Sequence, residues 1–249
     1  MMKLFTKEGS LDLYDWIQRI NMSSTFACPP EDKEKYDALV QILPTWSHIS
    51  RYQHYCVEPV KETFNVLKKT LKDTGYHKHG LSVHQYAISA SNDPAYVLFS
   101  PLEAGTEYVG IDNLPLGNMT YQVRAASIDM FILHQEIEEI DMLKIDTEGN
   151  DPRVLLGAAK TLSEMKPSYV SFENHEMGRW ATFDLKDIID YLDNLSYDCY
   201  WATKFGTLVK ITCCWSTEYG HWKGWSNIAC VHRDDKLLQS IFEKHADRI

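Results

Sequence analysis

The sequence predicts a doubly wound, mainly parallel α/β sheet preceded by an atypical N-terminal arm. Three observations predict it. From about His54 onward, short apolar strand-like runs alternate with amphipathic helical ones, and repeated β-α-β units imply parallel pairing with helices on both faces. Several of those strands end in acidic residues, at the edge where open α/β sheets bind ligands. The first fifty residues do not follow the alternation. We therefore expect residues 1–50 to form the arm, which replaces the first strand, and residues 51–249 to form the domain.

In the arm, Leu11 to Ile20 has helical amphipathic spacing, and Cys28-Pro29-Pro30 breaks the chain. Asp32 to Leu43 reads as a second helix stopped by Pro44. In the domain, His54 to Val57 reads as a strand closed by Glu58-Pro59. Val60, Phe64, Leu67 and Leu71 then share one helical face. Leu81 to Ile88 is a strand, and Tyr96–Phe99 with Thr120–Ala125 a pair of hairpin strands. Ser127 is placed to cap a helix from Ile128. Asp141 to Asp146 is a buried strand, and Asp151-Pro152 opens a helix running to Leu162. Ser168–Glu173 and Asn227–His232 read as strands, Leu185–Leu195 and Lys236–Lys244 as helices.

Composition narrows the function classes. With 249 residues, 44% of them hydrophobic, the chain can bury one sizeable core. No apolar run reaches the ~20 residues a bilayer span needs, and residues 1–11 are too polar for a signal peptide. The expectation is a soluble protein, cytoplasmic by default. A formal charge of -10 with no basic stripe argues against a nucleic-acid partner. The run Lys61 to Lys72 is interleaved with Glu62 and followed by Asp73, as on a solvated helix face. Six cysteines lack zinc spacing. Asn21, Asn118 and Asn194 each open an Asn-x-Ser/Thr sequon, which matters only in a secretory compartment. No Gly-x-Ser-x-Gly elbow or His-Glu-x-x-His helix suggests a hydrolase.

Three segments carry the chemistry. In Ile140 to Gly149, alternation puts Lys144, Asp146 and Glu148 on one side of an apolar strand. Burying charges without partners is unfavourable, so these groups either form a polar site or a salt-bridge network that only fixes the strand. Glu173 and His175 share one side of Ser171-Phe-Glu-Asn-His175, and histidine is a natural base near neutral pH. Glu58 closes a strand where a carboxylate can accept ribose hydroxyls.

Together these segments resemble the FkbM methyltransferase family over about residues 52–172. Tyr55-Cys-Val-Glu-Pro59 is similar to its ribose-binding strand, and Val83 to Ala90 to the strand bordering adenine. Val123 to Asp129 resembles the stretch ending in a Leu/Ile-Asp pair, and Ile140 to Gly149 with Val154 to Ala158 is the most specific match. The resemblance implies a class I (Rossmann-like) methyltransferase sheet and methyl transfer from S-adenosylmethionine to a hydroxyl of a sugar or other small-molecule acceptor. It implies that Glu58, Gln85, Tyr86, Ala87 and Asp146 bind the cofactor. Lys144, Asp146, Glu148, Glu173 and His175 become the catalytic candidates, with Glu173 or His175 as base. A divalent metal on Asp146 and Glu173 is an option that the sequence does not support.

One feature departs from the family pattern. The first strand normally ends in an Asp-x-Gly-x-x-x-Gly loop, because glycine lets the backbone turn tightly and approach the cofactor. Here Gly9 is the only glycine before Glu58, and the segment expected in the first-strand slot is Ala38 to Leu43. The alternative reading follows: a truncated or divergent non-catalytic paralogue that binds a glycan or protein, with Trp201, Trp215, Tyr219, Trp222 and Trp225 available to stack on sugar rings.

Overall fold

The computed structural model describes residues 2–6, 53–91, 95–103, 110–111, 120–202, 208–222 and 224–247. Its strands are β1 Met2–Thr6, β2 Gln53–Val57, β3 Leu81–His84, β4 Ala87–Ile88, β5 Tyr96–Phe99, β6 Tyr121–Ala126, β7 Met142–Ile145, β8 Tyr169–Asn174, β9 Tyr197–Ala202, β10 Leu208–Lys210, β11 Ser226–His232 and β12 Ala246–Asp247. Helices are α1 Lys61–Thr74, α2 Ile128–His134, α3 Asp151–Leu156, α4 Leu185–Asn194 and α5 Lys236–His245.

Nine strands form one sheet in the order β12-β10-β9-β11-β8-β7-β1-β2-β3, and β4-β6-β5 form a small second sheet. The fold is mixed α/β. Pairs β2·β3 and β7·β8 are parallel, but β11 runs antiparallel to both β8 and β9. The mainly parallel expectation therefore holds only for part of the sheet. The slot between β2 and β7 is held by β1, antiparallel to both. Residues 38–43, expected there, lie outside the described residues, as do both helices read in residues 11–43. Because β1 runs against its neighbours, Met2 lies level with Val57 and Ile145, while Thr6 lies opposite Gln53 at the far edge.

Sequence periodicity explains most of the elements. Leu143, Ile145, Val170 and Phe172 recur at two-residue spacing and are fully buried, as on a sheet face turned to the core. Each such side chain contributes ~1.5–3 kcal/mol by leaving water. Helix α1 buries Leu67 and exposes its lysines, with Lys69 and Asp73 paired at 2.7 Å on the solvent face. It ends at Gly75, whose φ of 76° makes the left-handed C-cap that glycine adopts without strain. Ser127 caps α2 by accepting the amide of Met130.

Two expected elements are shorter than their patterns. The run Leu81 to Ile88 divides because β3 pairs with β2 while β4 pairs with β6. Helix α3 stops at Leu156 rather than Leu162. Asp129 accepts the amides of Lys160 at 3.0 Å and Thr161 at 2.8 Å, which would otherwise reach back into the helix. Gly157 instead offers its carbonyl to the Asp129 amide at 3.1 Å and packs against the Ser89 backbone. The Ile-Asp pair of the sequence thus joins α2 to the end of α3. Strand β9 was not read from the sequence, since buried Asp198 interrupts its apolar run. Arg233 and Lys210 pair with that carboxylate.

Candidate functional site

β2, β3, β7 and β8 all run in one direction, because β1 opposes both β2 and β7. Their carboxyl ends therefore share one rim, which carries Glu58, Gln85, Asp146 and the Glu173–His175 segment.

Glu58 is buried, and its Oε1 accepts the Val60 amide at 2.7 Å. Burial raises its carboxyl above the ordinary range, and the charge of Asp146 adds to the rise. Gln85 turns its amide to the Pro59 carbonyl at 3.2 Å, and so lies beside Glu58. Tyr86 packs edge-on against Phe131 with the Arg124 guanidinium over its ring. Ala87 is fully buried in the cluster of Val60, Phe99 and Val123, so its methyl is spent on packing.

On the other side of β1, Lys144 is buried and donates to Asn227 Oδ1 at 3.1 Å, with Glu173 Oε1 at 4.0 Å. Asn227 lies directly across from Glu173 in the β8·β11 register. Trp225 Nε1 donates to Glu173 Oε2 at 2.9 Å, and the same indole stacks on His175 at 4.3 Å between centroids. Burial, reinforced by the charge of Asp146, pushes the Glu173 carboxyl up to about 7; Lys144 pulls the other way, and Asp151 and Glu148 add to the rise. Asp146 thus acts on both Glu58 and Glu173. The structure brings Glu58, Lys144, Asp146, Glu148 and Glu173 into one electrostatic neighbourhood.

His175 is buried, which pulls its imidazole below the ordinary value despite the opposing charges of Asp151 and Asp146. Its Nδ1 lies 3.1 Å from the Met177 amide. A backbone N–H only donates, so Nδ1 holds the lone pair and the proton sits on Nε2. That proton has no hydrogen-bond partner among the described residues.

The loops that present these groups are locked together. Glu148 has φ 55°, a left-handed conformation that an ordinary side chain adopts only when its surroundings enforce it. Gly149 follows with φ 99°, and a Cβ there would lie 2.6 Å from the Met177 carbonyl. Gly178, also left-handed, backs onto Gly149, while the Arg179 amide donates to the Gly149 carbonyl at 2.9 Å. Asn150 is buried and donates to the Ile88 carbonyl at 2.9 Å, tying this loop to β4.

Asp151, Trp225 and Asn227 were missed as site residues. Asp151 is fully buried and accepts both the Glu173 amide at 3.1 Å and the Thr147 hydroxyl at 2.8 Å. It clamps the β7 loop to the end of β8. In sequence it reads as the start of a helix, and nothing local marks the tertiary role. Trp225-Ser-Asn227 stands at the start of β11, which is a hint of position but not of contact. Trp201, Trp215 and Tyr219 pack against one another rather than forming a continuous outer platform. Among the described residues no three His, Cys, Asp or Glu side chains are grouped to hold a metal ion.

The model of the methyltransferase FkbM domain matches residues 44–199, more than half of the chain. The chain belongs to the FkbM methyltransferase family. Among solved structures, the crystal structure of methyltransferase FkbM from Methylobacillus flagellatus KT aligns over 72% of this chain at 17% identity and a TM-score of 0.41. This chain spans 36% of the length of that one. No curated relative matches the chain. Among the described residues, no helix is long and apolar enough to cross a membrane.

Proposed function

We propose that the protein transfers a methyl group from S-adenosylmethionine to a hydroxyl of a sugar or other small-molecule acceptor. The observation that carries this reading is that Glu58, Asp146 and Glu173 lie at the carboxyl ends of β2, β7 and β8, which run in one direction. In this reading the donor binds on the Glu58 side of the β1 slot and the acceptor on the Glu173 side.

The donor chemistry fits these residues on the ribose side. Glu58 Oε1 is committed to Val60, which leaves Oε2 to accept ribose hydroxyls. Gln85 and Tyr86 border the adenine edge in this reading, and Ala87 can offer only backbone. The acidic rim suits a cationic donor. When bound, S-adenosylmethionine supplies an electrophilic methyl group on a sulfonium.

The protein's own part is to orient the acceptor and take its proton. Glu173 is the base we assign, since its carboxyl titrates near neutral pH. The indole N–H of Trp225 fixes Oε2, and Lys144 stands beside Oε1, the oxygen left to receive the proton. With Nδ1 accepting from the Met177 amide, His175 donates through Nε2, and in this reading it positions an oxygen instead of deprotonating it. Asp146 and Glu148 flank the transferred methyl group.

Calorimetric titration tests the donor half. Micromolar binding of S-adenosylmethionine is expected for the native chain. Glu58→Ala and Asp146→Ala should each weaken it about tenfold or more, the loss expected for hydrogen bonds to a charged group. Unchanged affinity in both variants would remove the assignment. A specific observation favours the second reading, a non-catalytic binding module. Antiparallel β1 presents its beginning rather than its end at the rim, so the described residues include no glycine loop following a first strand there. No heat on titration with S-adenosylmethionine is the result that would select that reading.

A further inference from the structure

We propose that this domain matures in an oxidising, glycosylating compartment, where Cys199 and Cys230 are joined and Asn194 carries an N-linked glycan. The inference is independent of the methyl-transfer reading.

Cys199 on β9 and Cys230 on β11 are directly opposed in the antiparallel register, and both are fully buried. The Cys199 amide donates to Thr212 Oγ1 at 2.7 Å, and its carbonyl accepts the Ile211 amide at 2.9 Å. Both backbone groups thus face away from β11, so the cysteines form a non-hydrogen-bonded pair. In such pairs the chains approach most closely; the Cα atoms here are 4.0 Å apart, and the two sulfurs are bonded. Disulfides of this structural kind persist in oxidising compartments and are rare in the cytosol. The two thiols would lose two protons and two electrons to a disulfide carrier by thiol–disulfide exchange.

A compartment that oxidises this pair in eukaryotes also glycosylates exposed sequons. Asn194 opens Asn194-Leu195-Ser196 and is exposed at the end of α4. The chain turns there, the Ser196 amide bonding the Asp193 carbonyl at 2.9 Å. Its position is also compatible with function. Tyr197, where β9 begins, lies opposite His232, and Val231 lies opposite Tyr169, where β8 begins. Asn194 therefore sits at the sheet edge away from Glu173 and His175, and a glycan there leaves the rim open. Glycan transfer would form a bond from the Asn194 amide nitrogen to the anomeric carbon of a lipid-diphosphate-linked oligosaccharide. The lipid diphosphate departs, and the amide loses one proton.

The test uses full-length protein isolated from eukaryotic cells, with free thiols blocked by iodoacetamide at lysis. Digestion with peptide N-glycosidase in ¹⁸O-water is expected to convert Asn194 to labelled aspartate, detected by peptide mass spectrometry. Cys199 and Cys230 should be recovered as a linked, unalkylated peptide pair. Asn194→Gln should remove that label while leaving peptides containing Asn21 and Asn118 as they were. Recovery of unmodified Asn194, or of Cys199 and Cys230 both alkylated, would overturn the proposal.

Discussion

Replacing Asp151 with alanine is expected to destabilise the domain by about 3 kcal/mol, since a buried donor left unsatisfied costs ~1–3 kcal/mol and two are exposed by the change. For a domain of this size that corresponds to a fall of roughly 6–12 °C in melting temperature. The Glu173 amide and the Thr147 hydroxyl would both lose an acceptor that is itself fully buried. Asp151→Asn keeps the size and one carboxyl-type oxygen for the amide, and the Thr147 hydroxyl can accept from the new NH2. It should therefore recover most of the loss. Differential scanning calorimetry of both variants checks this; equal melting temperatures for alanine and native protein would show that Asp151 is not the clamp.

Glu173→Gln is expected to lower methyl transfer about 10²–10⁴-fold, the usual contribution of a positioned base. Glutamine preserves the oxygen that accepts from Trp225 but cannot take a proton. The same variant has a signature in stability that needs no acceptor. Glu173 titrates near 7 in the fold, raised chiefly by burial, whereas the unfolded group titrates near 4.3. Between those values the unfolded chain releases its proton first, so raising the pH costs folding free energy. The contribution present below about pH 4 is lost as the pH rises through 7, on the order of 3 kcal/mol for such a shift. Denaturant titrations should show a native chain that weakens over this window and a Glu173→Gln chain that weakens less. Parallel pH dependence in the two proteins would sink the raised carboxyl and with it the assigned base.

What the sequence revealed depended on whether the cause was local. β7 and β8 were legible because their largest apolar residues recur at strand spacing, and α2 because Ser127 caps it by a contact three residues away. Charges on strand ends were legible as a site because burial makes them too unfavourable to be accidental. Distant causes were not legible. Helix α3 ends early because of Asp129, and Leu81 to Ile88 changes pairing partner midway. The Asp198 of β9 is satisfied by Arg233 and Lys210, so its apolar run is broken in sequence but not in space. His175 reads as a base in sequence, and only the fold shows its Nδ1 facing the Met177 amide. Trp225 reads as an aromatic in a loop, and only folding brings its N–H to Glu173.

Met2–Thr6 is a keystone. Among the described residues it is the only ladder between the six strands from β12 to β7 and the two from β2 to β3, so five residues hold the Glu58 side and the Glu173 side in one frame. Without them two raw sheet margins would face each other, each with backbone groups lacking partners. The distance between Glu58 and Glu173 would then be set by packing alone, and the rim would lose its fixed span.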